Sequence, residues 1–287
     1  MQKRALAIHD VSCVGRCSLT VALPVLSACG IHTSVLPTAL LSTHTGEFTG
    51  YTCLDLTEEM GRIARHFASL NMTFDGLYTG FLGSYEQIRL VGDVLSCYHR
   101  EGTLTLVDPV MGDHGRLYAT YTQEMAAGMG ELCHLADVIV PNMTEACILL
   151  NRPYEANPDW PTVQAMLEAL AAKFGCGQTV ITGVQRDGLY GAASFRAVDG
   201  RADFAGMEHL PGVFYGTGDV FASGLTAAMI CGQTPDEATR TAVAFTHDAM
   251  LHTLDNGLPL RYGAAFEQAL PGLMKRVGVF DPSLGQA

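Results

Sequence analysis

Tyr215-Gly216-Thr217-Gly218-Asp219-Val220-Phe221-Ala222-Ser223-Gly224 reads as a tight glycine turn that opens a helix, with an acid in the first helical turn. Glycine adopts turn angles that other residues avoid and lets the backbone approach a ligand. The free N–H groups of a helix start form an anion site. Asp219 beside such a site has two readings. It is an ordinary first-turn acid, favoured by the helix dipole, or it takes a proton from a substrate hydroxyl while a phosphoryl group rests on the amides. The run is not a dinucleotide fingerprint. Gly216 and Gly218 supply two glycines, but Phe221 holds the third position and the run lies late in the chain. Nor is it a Walker loop, because Lys3, Lys173 and Lys275 are the only lysines and none precedes Ser or Thr.

Upstream of this run, short apolar segments alternate with helical patterns. Strands are expected at Ala5–His9, Thr33–Leu36, Gly76–Tyr78, Leu104–Val107, Val138–Val140 and Thr179–Ile181. Helices are expected at Leu19–Cys29, Thr57–Leu70, Tyr85–Arg100 and Thr162–Phe174, several of them stopped by a glycine. Such alternation predicts an α/β fold, a mostly parallel central sheet with helices on both faces. Tyr190–Arg196 and Ala202–Glu208 read as a β-hairpin, expected to act as a flap over a bound nucleotide. From Asp219 to Val277 the chain is mostly helical in pattern. No linker, repeat or low-complexity stretch interrupts it, so residues 1–287 are expected to form a single domain.

The chain is long and apolar enough for a large core, at 287 residues and 48% hydrophobic. A formal net charge of −12 argues against a nucleic-acid backbone or an anionic membrane surface as partner. An anionic ligand would then be held by backbone amides and a metal ion, because basic side chains are scarce. Nine cysteines without a CxxC pair suggest reduced thiols and a cytoplasmic location. The histidines form no HExxH pattern, no secretory signal is visible, and no apolar run is long enough to span a membrane.

Polar residues fall where the expected strands end, which is where ligands bind in such sheets. Asp10 follows the first strand, Ser42-Thr43-His44-Thr45-Gly46 the second and Thr79-Gly80 the third. Asp108-Pro109-Val110-Met111-Gly112-Asp113 follows the fourth, Pro141-Asn142-Met143-Thr144-Glu145 the fifth and Thr182-Gly183 the sixth. Each has a plain alternative. Asp113-His114-Gly115 reads as a turn, Thr144 as a helix cap with Glu145 as a dipole-compensating acid, His44 as a loop residue and Asp108 as a strand-ending acid.

Taken together, in this order and spacing, these segments resemble the ribokinase superfamily, and within it the pyridoxal/pyridoxamine kinases. The resemblance covers nearly the whole chain. It implies a three-layer ribokinase-like sandwich, ATP and Mg²⁺ as cofactors with K⁺ as a further candidate, a vitamin B6 substrate and a homodimer. By resemblance, Asp219 is the catalytic base, and Gly216, Thr217 and Gly218 form the anion hole. Asp113 and Glu145 organise Mg²⁺, partly through water, as suits an ion that keeps most of its waters. Asn142 and Tyr118 belong to the phosphate side, and Asp108 and Thr182 lie near a monovalent cation or the nucleotide phosphates. His44, Thr45, Phe81 and Asp10 belong to the vitamin site.

Three positions depart from the family: Asp10 stands where serine is usual, Val140 where threonine is common, and Phe81 where tyrosine is common. The charge of Asp10 either supports the loop at Gly15 or faces a substrate amine or ring nitrogen. Facing the amine predicts a preference for pyridoxamine over pyridoxal, whereas pairing with a protonated ring nitrogen would favour all three vitamers equally. Hydroxymethylpyrimidine kinases share the fold and motifs and are the alternative. A non-catalytic vitamin or nucleotide sensor and a sugar kinase fit less well. The three acids Asp219, Asp113 and Glu145 occur together, and no inserted lid segment is visible.

Overall fold

A strand buried on both faces needs a helical layer on each side. β1 (Arg4–Ser12) is such a strand, with every residue from Ala5 to Asp10 buried. The computed structural model describes residues 2–279 and places β1 inside a nine-stranded sheet. In chain order the elements after β1 are α1 (Leu19–Ala28), β2 (His32–Leu41), β3 (Cys53–Asp55), α2 (Thr57–Ser69), β4 (Gly76–Thr79), α3 (Tyr85–Tyr98) and β5 (Leu104–Val107). Next come β6 (Gly112–Asp113), β7 (Arg116–Leu117), α4 (Gln123–Cys133), β8 (Val138–Ile139), α5 (Met143–Leu149) and α6 (Trp160–Phe174). The remainder is β9 (Gln178–Arg186), β10 (Leu189–Arg196), β11 (Arg201–Glu208), α7 (Thr217–Ile230), α8 (Pro235–Asp255) and α9 (Leu270–Arg276).

The sheet order is β11-β10-β9-β8-β5-β4-β1-β2-β3. Neighbours from β2 to β9 run parallel, and the antiparallel pairs lie at the two ends. One face carries Leu6 and Ile8 into a core built with α2 to α6, while Ala5, Ala7 and Tyr78 face a second core under α1, α7, α8 and α9. The expected helices form within two residues of their bounds. Local chemistry sets their ends: Ser84 caps α3 by accepting from the Gln87 N–H at 3.2 Å, and α6 stops at Gly175 in the left-handed conformation.

Several features differ from the sequence reading. Asp10 lies inside β1, where it alone stands opposite Thr38 and Ala39 of β2. This bulge lets β2 run on past Pro37, where the sequence suggested a stop, and it re-aims the Asp10 side chain. Thr182 likewise lies within β9. A second irregularity leaves Gly183, at φ 75°, as an extra residue against β10. The hairpin is not a free flap. β10 pairs along its whole length with both β9 and β11, so both strands belong to the sheet edge. Gly112–Asp113 and Arg116–Leu117 form a small separate hairpin, whose His114 and Gly115 both have positive φ, as a tight two-residue turn requires. Among the described residues no helix is long and apolar enough to cross a membrane.

Candidate active site

The sheet delivers its polar strand ends to one place. Asp108 follows β5 and is buried, and no hydrogen bond relieves it among the described residues. Withdrawal from water raises its carboxyl well above the usual range, and the charges of Glu145 and Asp219 add to this. Burial pushes Glu145 up to about 8, even though backbone hydrogen bonds oppose the rise. Its Oε1 accepts from the Met111 N–H at 3.0 Å and its Oε2 from the Asn142 N–H at 2.8 Å. Burial likewise pushes Asp219 up to about 7, opposed by a backbone hydrogen bond from Ser18. Tyr118 ties the group together. Its phenol is raised by withdrawal from water and then by the charges of Glu145, Asp113, Asp108 and Asp219.

Opposite these acids stands the N-terminus of α7. Gly216 is its cap, in the left-handed conformation at φ 70°, and no side chain caps the helix. A Cβ on Gly216 would overlap the carbonyl oxygen of Arg16, so the position requires glycine twice over. Gly218 is different: a Cβ there would meet nothing within 4 Å. Gly218 thus leaves open room at the start of α7, a helix N-terminus whose free amides can receive a phosphate.

Asn142, not Thr144, caps α5. Its Oδ1 accepts from the Glu145 N–H at 3.0 Å, and its Nδ2 donates to the Gly112 carbonyl at 2.9 Å. Thr144 instead accepts from the Gly115 N–H at 2.9 Å, holding the turn after Asp113. Thr182 pairs with Asn142 by an isolated parallel bridge, which aligns the two strand ends. Asp113 is exposed and bonds only its own turn, accepting from the His114 N–H at 2.7 Å.

The vitamin-side residues are less uniform. His44 is committed to the protein: Gly46 N–H donates to Nδ1 at 3.1 Å, so Nε2 carries the proton and donates to the Arg261 carbonyl at 2.6 Å. It offers a ring face, packed beside Tyr215 and Phe48. Thr45 is exposed. Phe81 packs against the α2-to-α6 core and Tyr121, away from His44. Asp10 is buried, and its carboxylate accepts from Ser12 Oγ at 3.2 Å.

A family model described as phosphomethylpyrimidine kinase matches residues 22–261. The chain belongs to this family. A provisionally assigned phosphomethylpyrimidine kinase from Bacteroides thetaiotaomicron, crystallised with pyridoxal, is 36% identical, with a TM-score of 0.90 over 95% of this chain and 96% of that one. The pyridoxal kinase of Lactobacillus plantarum is 32% identical, with a TM-score of 0.89 over 96% and 98% of the two chains. A pyridoxine/pyridoxal/pyridoxamine kinase of Bordetella avium is 29% identical over 258 residues, covering 83% of this chain and 81% of its own. The kinase fold expected from the motifs is therefore present throughout.

Sequence reasoning missed several residues of the kinase site. Ser12 ends β1, Cys17 and Ser18 lie in the β1–α1 loop, and Cys17 and the buried Tyr78 are within reach of the Asp219 charge. No motif marks them; only the packing of Arg16 against Gly216 and Gly263 brings their loop here.

Two outcomes follow from this geometry. Gly216→Ala should destabilise the kinase by more than about 2 kcal/mol, from strain and overlap with Arg16. Gly218→Ala should melt like the wild type yet lose nucleotide affinity. Thermal melts with nucleotide titrations decide, and equal melting of the two variants would count against the packing. The second outcome concerns pH. A carboxyl raised on folding binds more protons in the folded state, so its stabilising effect is complete at low pH and disappears as pH climbs through the folded pKa. The ligand-free kinase should therefore melt lower at about pH 8.5 than at about pH 5.5, and Asp219→Asn should flatten that slope. An unchanged slope in the variant would remove Asp219 from the effect.

Proposed function

We propose that this kinase transfers the γ-phosphoryl group of ATP to the hydroxymethyl oxygen of vitamin B6 compounds: pyridoxal, pyridoxamine and pyridoxine. The observation that carries this reading is that buried Asp108 and Glu145 follow the parallel strands β5 and β8 while Asp219 stands in the first turn of α7, on a fold shared with a pyridoxal kinase. The substrate hydroxyl oxygen attacks the γ-phosphorus, the bond to the bridging oxygen breaks, and ADP leaves. The hydroxyl proton passes to Asp219. A base with a pKa near 7 is matched to neutral pH. Amides at Thr217 and Gly218 hold the phosphoryl oxygens, and the reaction is otherwise a matter of positioning and charge stabilisation.

The donor set fits Mg²⁺. Among the described residues no three His, Cys, Asp or Glu side chains are close enough to cage an ion alone. Mg²⁺ does not need a cage, since it binds through one or two carboxylates, water and substrate phosphates. Asp113 and Glu145 would hold it, and when bound it neutralises charge on the phosphates. Asp108, a buried acid without a donor, fits K⁺, with Thr182 on β9, two strands along the sheet. The family's description supports a second reading, a hydroxymethylpyrimidine acceptor. A homodimer is part of the proposal, to be checked by light scattering.

ADP release with each of the four alcohols, coupled to detection of the phosphorylated product, tests the reading. The vitamin B6 alcohols should give the higher kcat/KM, and a pyrimidine optimum would replace them. Asp219→Asn should lower kcat about 10²–10⁴-fold while nucleotide affinity persists. Asp113→Ala should raise the Mg²⁺ needed for half-maximal rate. A titration curve identical to the wild type would exclude Asp113 from the metal's surroundings.

A further inference from the structure

Every residue of α7 from Val220 to Ala228 is buried, and Ala222, Ser223, Gly224, Ala227 and Ala228 give the helix few projecting side chains. A helix that is apolar all round has no single face to turn inward, so hydrophobic burial alone does not choose its rotation about its own axis. A directional contact does, as a buried polar residue fixes the register of packed helices. Ser223 supplies one. Its Oγ donates to the Tyr78 hydroxyl at 3.4 Å, and both residues are fully buried. This is the one hydrogen bond from an α7 side chain to a strand of the sheet among the described residues. At that length its worth is direction rather than strength.

The ordinary outlet for a hydroxyl inside a helix is the carbonyl one turn back. Thr226, Thr246 and Thr253 all take it, donating to Ala222, Ala242 and Ala249 at 2.7, 2.8 and 2.7 Å. Ser223 instead reaches across to β4, where Tyr78 is held in place. The Tyr78 ring meets the His9 ring edge-on, centroids 4.4 Å apart at 70°, and His9 in turn lies over Gly80, where a Cβ would overlap its Nδ1. His9 is fully buried and neither ring nitrogen has a hydrogen-bond partner among the described residues, so it supports Tyr78 through its ring alone. At the far end of α7, Ile230 fills the space that Gly76 leaves open. The helix thus rests on β4 at two points, and the hydroxyl pair is the one nearer its N-terminus.

We propose that Tyr78 and Ser223 are positioning residues, whose hydrogen bond sets the rotation of α7 and thereby the aim of Asp219. Residues four apart lie on one face of a helix, so Asp219 stands one turn before Ser223 on the face that meets Tyr78. The contact of Gly216 with the Arg16 carbonyl fixes where α7 begins but not how it is turned. Turning has unequal consequences. The free N–H groups at the helix start point along its axis and keep their direction, whereas the Asp219 side chain projects from the axis and swings. The inference rests on Asp219 being the base of the proposed reaction.

Tyr78→Phe and Ser223→Ala each remove one hydroxyl and leave the packing, and the double variant removes both. Each single variant should lower kcat about 10–10²-fold, the cost of misplacing a reacting group by about 1 Å, with nucleotide affinity as in the wild type. The double variant should lose no more than the worse single variant, because the same contact is lost in all three. Unchanged kcat in either single variant, or losses that multiply in the double, overturn the proposal. So does a loss of nucleotide affinity as large as the loss of kcat, which marks a helix displaced as a whole. Crystal structures of the wild type and Tyr78→Phe read the same contact without turnover. With β4 superposed, α7 should be rotated and the Asp219 carboxylate displaced by about 1 Å. An unmoved carboxylate overturns the proposal even where the protein phosphorylates no vitamin. Failure of the wild type to phosphorylate any alcohol, with that displacement present, would instead remove the kinase reading.

Discussion

Carboxylates crowded together out of water repel one another, and the site is organised around that repulsion. Asp108, Glu145 and Asp219 are withdrawn from water while Asp113 stays exposed, and no lysine or arginine offsets Asp108 or Asp219 among the described residues. Backbone amides relieve the repulsion only in part, through the Met111 and Asn142 N–H groups on Glu145. Such an arrangement costs folding stability. It is retained where the missing positive charge arrives with a ligand, and a nucleotide carried by a cation supplies it.

The fold holds the acids together through strand ends and two close backbone approaches. Parallel strands β5, β8 and β9 point the same way, so Asp108, Asn142 and Thr182 emerge on one side of the sheet. The base comes from a different layer, on α7. Gly216 and Gly263 let the Arg16 backbone sit against the turn before α7, locking the β1–α1 loop to the helix that carries Asp219. The bulge in β2 opposite Asp10 accompanies a hydrogen bond from Ser12 Oγ to that carboxylate.

Much of this was legible in the sequence because it rests on local rules. Strands buried on both faces leave continuous apolar runs, and glycine stops mark helix ends, so the layers could be read directly. The Gly216-Thr217-Gly218-Asp219 run announced its helix start. Other features depend on distant partners. β6 and β7 are too short to show a period. The commitment of His44 to the Arg261 carbonyl joins residues 217 positions apart. The choice of Asn142 over Thr144 as cap depends on Gly112 and Gly115, which wait on the preceding hairpin. The turn of the hairpin was legible because it is local, whereas its pairing with β9 is tertiary.

The central claim is that these acids share one poorly compensated space. Carboxyl titration of the ligand-free protein, followed by ¹³C NMR with Asp219→Asn and Glu145→Gln used for assignment, tests it most directly. The account predicts one resonance with a midpoint near 7 that disappears in the first variant and another near 8 that disappears in the second. If both carboxyls instead titrate at their ordinary values of 3.8 and 4.5, the acids are solvated and independent, and the account fails.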